Sequence, residues 1–190
     1  MPNEGVFCRV VNGGELKAGS KLEHFAKVFT GRIITLSDRA SSGVYEDRSG
    51  PAIISMLENY WKDLNIACKL ESIIIPDDAG ELKNSVEEAV SRNCDFIFTT
   101  GSTGISPRDI ASGTLRPMFD KEIPGIMEMI RVKYGMENPN ALLSNSLAGV
   151  IGGTLVYSIP GSVKGVKEYM TEILRTLRHS ALMLHQIDAH

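Results

Sequence analysis

The segment FTTGSTGISPRD at residues 98–109 joins an apolar run to two glycines, several hydroxyl side chains and a charged pair. Glycines let the backbone approach a ligand closely and present N–H groups to oxyanions, and serine and threonine add further donors. These residue types suit phosphate binding, although tight packing of the chain is an alternative role for the two glycines. The segment is not a P-loop, because that motif has lysine and then serine or threonine after its second glycine, whereas Ile105 and Ser106 follow here.

Three aspartates extend the case for phosphate chemistry. Asp109 closes the glycine segment, and Asp77 and Asp78 follow the apolar run at 70–75. A carboxylate repels a phosphate unless a cation lies between them, and Mg²⁺ binds one or two carboxylates together with phosphate oxygens. The aspartates therefore favour Mg²⁺-dependent nucleotidyl transfer, in which positioning and charge neutralisation supply most of the catalysis. Alternatively, Asp77 and Asp78 cap the helix that follows them.

The elements that must position these residues are visible as short apolar runs separated by amphipathic stretches. Runs at 32–36, 70–75, 95–100 and 154–159 predict strands, and the short, non-alternating run at 32–36 is typical of a strand buried on both faces. Helices are predicted from Ser49, from about Leu82 to Val90, over 123–130, after Pro139, and over about 163–186. This alternation predicts an α/β fold: a doubly wound, mostly parallel sheet with helices on both faces.

Polar residues follow every predicted strand. Because ligands bind at the carboxyl ends of parallel strands, we expect the four strand ends to form one site. Besides the glycine segment and Asp77, these ends carry Ser37, Asp38 and Arg39 after the first strand and Pro160, Gly161 and Ser162 after the fourth. Taken singly, Ser37 and Asp38 could instead cap a turn, and Pro160 and Gly161 could simply end a strand.

Composition excludes several classes of partner. A net charge of −3 and a pI near 5.8 argue against nucleic acid, which binds basic surfaces. No apolar run approaches the roughly 18 residues of a membrane span, and the N-terminus lacks the pattern of a secretory signal. Three scattered cysteines and four histidines without metal-ligand spacing indicate a cytoplasmic protein with no structural metal.

Five ordered stretches together resemble the MogA/MoaB-type molybdenum-cofactor biosynthesis proteins. They are ITLSDRASSGVYEDRSGP (34–51), IIPDD (74–78), FTTGSTGISPRD (98–109), EIPGIMEMIR (122–131) and SIPGSVKGVKE (158–168). The resemblance covers the chain from about residue 30 onward, and it implies a Rossmann-like fold and a homotrimer. The MogA branch implies molybdopterin adenylyltransferase activity, in which molybdopterin and ATP, with Mg²⁺, give adenylylated molybdopterin and pyrophosphate.

The same resemblance assigns roles to individual residues. Asp77 and Asp109 are implied as catalytic carboxylates that hold the Mg²⁺. Contacts with the substrate or nucleotide are implied at Ser37, Asp38, Arg39, Asp47, Thr100, Gly101, Ser102, Thr103, Gly104, Ser144, Pro160, Gly161 and Ser162.

The sequence departs from the family pattern at three places. Ser102 stands where a second glycine is common, residues 110–113 replace the usual Val-Thr-Pro, and Asn145 stands where arginine is common. These departures leave open a second function, that of a non-catalytic, MoaB-like protein that binds molybdopterin or acts as a scaffold in the same pathway.

The N-terminal stretch GVFCRVVNGGELKAGSKLE (5–23) resembles the tail of a MOSC domain, a β-rich module also linked to molybdenum-cofactor handling. Its composition predicts two short strands around a glycine turn. We therefore expect a β extension over 1–27 and a molybdopterin-binding domain over 28–190, with other proteins of the cofactor pathway as partners of the chain.

Overall fold

A computed structural model of the chain describes residues 13–15, 17–21 and 27–185. The β-arm predicted for residues 1–27 falls largely outside these ranges, so the arm and the domain division remain predictions. Among the helices of the described residues, none is long and apolar enough to cross a membrane.

Six strands form one mixed sheet. They are β1 (Phe29–Leu36), β2 (Cys68–Ile75), β3 (Phe96–Thr100), β4 (Lys121–Glu122), β5 (Leu147–Ile151) and β6 (Thr154–Ile159). The order across the sheet is β2-β1-β3-β6-β5-β4. The first four strands in this order are parallel, whereas β5 is antiparallel to both β6 and β4. The predicted doubly wound, mostly parallel sheet is confirmed.

Helices cover both faces of this sheet. They are α1 (Asp38–Ser41), α2 (Ser49–Asp63), α3 (Ala79–Ser91), α4 (Ala111–Leu115), α5 (Pro124–Gly135) and α6 (Val163–Leu184), with 3₁₀ helices at Arg116–Met118 and Pro139–Leu143. One hydrophobic cluster joins the sheet to α2, α5 and α6, and a second joins it to α3 and α4.

In strand β1, apolar and polar residues do not alternate along the sequence, because both faces of the strand are buried. Ile33 and Ile34 are both 0% exposed, because Ile33 packs in the first cluster and Ile34 in the second. Burying each such side chain contributes about 1.5–3 kcal/mol. On the first face Trp61 stacks on Phe29, with ring centroids 4.5 Å apart, and on Phe96, at 6.0 Å. The four parallel strands are thus fixed from both sides, which in turn fixes the edge where they end.

The helix predicted after Pro139 is present only as one short turn. That segment is the short 3₁₀ helix Pro139–Leu143, and the chain then enters β5. Strand β5 returns directly into β6 through Gly152 and Gly153, whose φ angles are +55° and +91°. Two central residues with positive φ are typical of a type I′ hairpin turn, whose twist matches that of the flanking strands. The antiparallel edge of the sheet therefore comes from this glycine pair.

Candidate functional site

Three adjoining pockets lie along the edge where the parallel strands end. The carboxylate pocket, of about 280 Å³, is lined by Leu36, Ser37, Asp38, Arg39, Asp77, Ser102, Arg108 and Asp109. The middle pocket, of about 370 Å³, is lined by 35–37, 39–40, Tyr45, 47–49 and 161–163. The amide pocket, of about 330 Å³, is lined by 103–105, Asn138, Asn140, Ala141, Leu143, Ser144, Pro160, Ser162, Lys164, Gly165, Glu168 and Tyr169. The carboxylate and middle pockets share Ser37 and Arg39, and the middle and amide pockets share Ser162. The three pockets therefore form one elongated site.

Asp38 and Asp77 lock the ends of β1 and β2 together. The backbone N–H of Asp38 donates to Oδ2 of Asp77 at 3.2 Å, and the N–H of Asp77 donates to Oδ1 of Asp38 at 3.0 Å. This reciprocal pair holds both carboxylates at the pocket wall. The alternative that Asp77 caps α3 is wrong, because the capping carboxylate is that of Asp78, which accepts from the N–H of Glu81 at 2.8 Å.

Asp109 reaches the same pocket from the glycine segment. Its Oδ2 accepts a hydrogen bond from the N–H of Ser106 at 2.7 Å, and its own N–H donates to the Ser106 carbonyl at 2.9 Å. Gly104 lies directly beneath the carboxylate, since a Cβ there would come within 2.6 Å of Oδ2. Among the described residues, Oδ1 of Asp77 and Oδ1 of Asp109 accept no hydrogen bond, so each carboxylate presents one oxygen to a ligand.

A bound Mg²⁺ fits this donor set only with help from a substrate. Within the described part of the chain, no cluster of three or more acidic, histidine or cysteine side chains could hold a metal by itself. Mg²⁺ commonly takes one or two carboxylates and completes its shell with water and phosphate oxygens. Asp77 and Asp109 supply the two carboxylates.

Gly101 is required for packing. Its φ is +99°, and a Cβ at this position would lie 2.4 Å from the carbonyl oxygen of Leu36. Its N–H already donates to the Ile159 carbonyl at 3.1 Å, and the neighbouring hydroxyl of Thr100 donates to the Pro160 carbonyl at 3.0 Å. Thr100 and Gly101 therefore join the ends of β1, β3 and β6.

The next residues of the segment present the donors that an anion needs. Among the described residues, the N–H groups of Thr103 and Gly104 have no hydrogen-bond acceptor. Ser102, in contrast, has its hydroxyl engaged: it accepts from the N–H of Ile110 at 2.9 Å and donates to the carbonyl of Arg108 at 3.1 Å. Of the segment predicted to bind phosphate, the backbone N–H groups at 103–104 are therefore the donors still available to a ligand.

The N-terminus of α6 faces two of the pockets. Ser162 caps this helix, its hydroxyl accepting from the N–H of Gly165 at 3.1 Å. Gly161 lies against Gly101, since a Cβ at 161 would come within 3.0 Å of the Gly101 Cα. The first N–H groups of a helix and its dipole favour an anion, and α6 is 22 residues long. This end of the site therefore suits a phosphate or carboxylate.

Arg39 and Arg108 supply positive charge beside the aspartates. Arg39 lines the carboxylate and middle pockets and lies over the ring of Tyr45, with the guanidinium carbon 5.3 Å from the ring centroid. Its carbonyl accepts the N–H groups of Val44 and Tyr45, so the loop after α1 stays attached to it. Ser37 caps α1 by accepting from the N–H of Ala40 at 3.1 Å.

Asp47 lines the middle pocket, but its carboxylate is already engaged. Oδ1 accepts from the N–H and hydroxyl of Ser49 and from the N–H of Gly50, and Oδ2 accepts from the hydroxyl of Thr35 at 2.8 Å. The helix begins at Ser49, as predicted, and the Asp47 carboxylate accepts the first two N–H groups of α2, those of Ser49 and Gly50. Asp47 thus fixes the start of α2 at the wall of the site.

Ser144 lines the amide pocket together with residues that the sequence argument missed. Its hydroxyl lies 2.7 Å from that of Ser146, and its carbonyl accepts from Arg131 at 3.4 Å. Asn138, Asn140 and Leu143 also face this pocket. The sequence argument treated the segment after Pro139 as an ordinary helix and so missed them, although an Asn-Pro-Asn run is a recognisable turn signal.

The sequence of this chain matches a known protein family and several known proteins. A family model described as "Probable molybdopterin binding domain" matches residues 32–179. Molybdopterin adenylyltransferase of Pyrococcus furiosus is 35% identical over 163 residues, which cover 81% of this chain and 92% of the relative. Gephyrin of Dictyostelium discoideum is 30% identical over 154 residues, or 78% of this chain but only 21% of gephyrin. The chain thus spans about a fifth of gephyrin but nearly all of the Pyrococcus protein.

Solved structures agree with the sequence matches. The molybdopterin biosynthesis Mog protein of Mycobacterium ulcerans superposes with a TM-score of 0.76 at 30% identity, covering 85% of this chain and 99% of that chain. The likeness therefore covers most of this chain and nearly all of the Mog protein.

Proposed function

Because the chain belongs to the MogA/MoaB-type family of molybdenum-cofactor biosynthesis proteins, we propose that it is a molybdopterin adenylyltransferase. The observation that carries the proposal is the meeting of Asp77 and Asp109 in one pocket. The adjacent N–H groups of Thr103 and Gly104, at the amide pocket, have no acceptor within the described part of the chain. Relatives that bear this name also support it, one of them matched over 92% of its length.

In the proposed reaction a terminal phosphate oxygen of molybdopterin attacks the α-phosphorus of ATP. A new P–O bond forms, the bond from the α-phosphorus to the bridging oxygen breaks, and its electron pair leaves with pyrophosphate. The N–H groups of Thr103 and Gly104 and the start of α6 bind phosphate oxygens. Arg39 and Arg108 offset the negative charge that two polyanionic substrates bring into one site.

Asp77 and Asp109 would hold Mg²⁺ through the oxygens that no internal donor occupies. When bound, Mg²⁺ neutralises charge on the phosphate oxygens and orients them for in-line displacement. The protein's own contribution is rigidity. The Asp38–Asp77 pair and the Ser106 N–H fix the two carboxylates before substrate arrives, so little reorganisation is needed during the reaction.

Pyrophosphate release tests this function. Purified protein, ATP and Mg²⁺ should release pyrophosphate only when molybdopterin is added, and omission of Mg²⁺ should abolish the release. Absence of release under all conditions would rule out the transferase. Calorimetry that then shows molybdopterin binding without ATP binding would indicate the alternative, a non-catalytic binding or scaffold protein.

We also propose a homotrimer, as the family resemblance implies. Four apolar side chains at the end of α5 and on the following 3₁₀ helix are strongly exposed: Val132 (60%), Met136 (84%), Leu142 (53%) and Leu143 (53%). Exposed apolar groups of this kind are typical of interaction surfaces. Light scattering should give three times the chain mass of 20.7 kDa. A cytoplasmic location and contacts with other proteins of the pathway belong to the same proposal.

A further inference from the structure

We propose that Ser102 is a positioning residue, whose hydroxyl holds the Asp109 carboxylate in the carboxylate pocket. The proposal rests on the transferase function only where it predicts an effect on turnover. Its structural part concerns three hydrogen bonds that can be measured without any substrate.

The hydroxyl of Ser102 holds the chain on both sides of Asp109. It donates to the carbonyl of Arg108, at 3.1 Å, and accepts from the N–H of Ile110, at 2.9 Å. The Ser102 carbonyl accepts from the N–H of Ala111 at 3.1 Å. The residue before Asp109 and the two residues after it are therefore all tied to Ser102.

The backbone of Ser102 is unfavourable for its residue type. Its φ is +55°, in the left-handed region that glycine enters freely and that other residues avoid unless a short polar side chain bonds locally. A glycine would remove this strain but would also remove both hydroxyl hydrogen bonds. The strain and the hydrogen bonds therefore act in opposite directions. Ser102→Ala loses the hydrogen bonds and keeps the strain, whereas Ser102→Gly loses both, so comparison of the two variants separates the two effects.

Few other contacts hold Asp109 in place. Its carboxylate accepts one hydrogen bond, from the N–H of Ser106, which lies within the same loop. The loop is fixed to the sheet at its other end by Asn145, whose N–H donates to the carbonyl of Thr103 at 2.8 Å and whose side-chain amide donates to that of Gly104 at 2.9 Å. Without the Ser102 hydroxyl, the half of the loop that carries Asp109 keeps the hydrogen bond from the N–H of Ala111 to the Ser102 carbonyl and its contacts with Ser106, but it loses both hydroxyl bonds that flank Asp109.

This geometry gives Ser102 a role different from that of a substrate contact. Both hydrogen-bonding directions of its hydroxyl are satisfied within the loop, so binding a phosphate would require one of these bonds to break. A positioning group affects the geometry of the reacting complex more than the binding of ATP. Its loss should lower kcat and leave KM for ATP almost unchanged.

The test compares Ser102→Gly and Ser102→Ala with Ser91→Ala, which removes an exposed hydroxyl at the end of α3, away from the three pockets, that donates to the carbonyl of Glu88 at 2.7 Å. In both Ser102 variants we expect kcat to fall about 10- to 100-fold, the scale of a small misplacement of a catalytic group, with KM for ATP within about twofold. Ser91→Ala should stay within about threefold of the wild type. Amide hydrogen exchange at Ile110, measured by NMR without substrate, should accelerate at least about tenfold in both Ser102 variants.

Three results would overturn the proposal. The first is Ser102→Gly that keeps wild-type kcat, because the hydroxyl would then serve only to offset the strained φ. The second is a rise in KM for ATP parallel to the loss of activity, which would make Ser102 a nucleotide contact. The third is unchanged exchange at Ile110 in Ser102→Gly. If the wild type shows no transferase activity, the proposed function fails, and the exchange experiment still decides the role of the hydroxyl.

Discussion

Replacing Gly101 with alanine tests how closely the end of β3 packs against the end of β1. Gly101 has a φ of +99°, and the added methyl carbon would lie 2.4 Å from the Leu36 carbonyl oxygen, closer than such atoms approach in proteins. A left-handed backbone costs an L-residue about 1–2 kcal/mol. Forcing a methyl group into a close-packed contact costs about 1–3 kcal/mol more, so we expect a total loss of about 2–5 kcal/mol.

Thermal unfolding followed by circular dichroism gives the size of this effect. For a domain of this length 1 kcal/mol corresponds to about 2–4 °C, so the Tm of Gly101→Ala should fall by about 4–20 °C. Gly113→Ala is the matched control, because nothing lies within 4 Å of a Cβ at position 113 and alanine favours the helix around it. A Gly101→Ala protein with the same Tm as Gly113→Ala would refute the assigned role of Gly101.

Two further predictions concern carboxylates outside the proposed chemistry. Asp47→Ala removes three hydrogen bonds to the start of α2 and one from the Thr35 hydroxyl of β1, so urea denaturation should show a loss of about 2–3 kcal/mol, and Asp47→Asn should lose less. Equal stability of Asp47→Ala and wild type would contradict the capping role. At the opposite end of the sheet, burial raises the pKa of Asp95, but hydrogen bonds from Lys27, Thr30 and His185 outweigh it and leave the pKa below its usual value. This contribution to stability is present above the unfolded-state pKa of about 4 and is lost as the pH falls through the lower folded-state pKa. The stability difference between wild type and Asp95→Asn should therefore shrink below about pH 4, and a constant difference down to pH 2 would contradict this account.

Sequence patterns predict the parallel half of the sheet because its strands appear as short runs rich in apolar and β-branched residues. Strands β1, β3 and β6 are buried along almost their whole length, whereas the edge strand β2 is only partly buried. Strand β5 escapes this reasoning, since LAGVI contains alanine and glycine and follows a proline-led turn. The Gly152–Gly153 pair between two apolar runs was the available signal, and it predicts a hairpin rather than a helix.

The site shows a similar division. The rule that parallel strands end at one edge predicts that Asp38, Asp77 and Asp109 meet, and they do line one pocket. The bonding of Ser102 and Asp47 is harder to predict. It depends on a left-handed φ at Ser102 and on hydrogen bonds to residues 2 to 12 positions away, which residue type alone does not encode.

The most direct test of the proposed chemistry is the charge on Asp77. Asp77→Asn keeps an oxygen that can accept from the N–H of Asp38 and removes the charge proposed to hold Mg²⁺, whereas Asp63→Asn alters an exposed carboxylate at the end of α2. Pyrophosphate release from ATP in the presence of molybdopterin and Mg²⁺ should fall at least about 100-fold in Asp77→Asn and in Asp77→Ala, the scale of losing one preorganised electrostatic group. Asp63→Asn should match the wild type. A loss of tenfold or less in both Asp77 variants would contradict the catalytic role of this carboxylate.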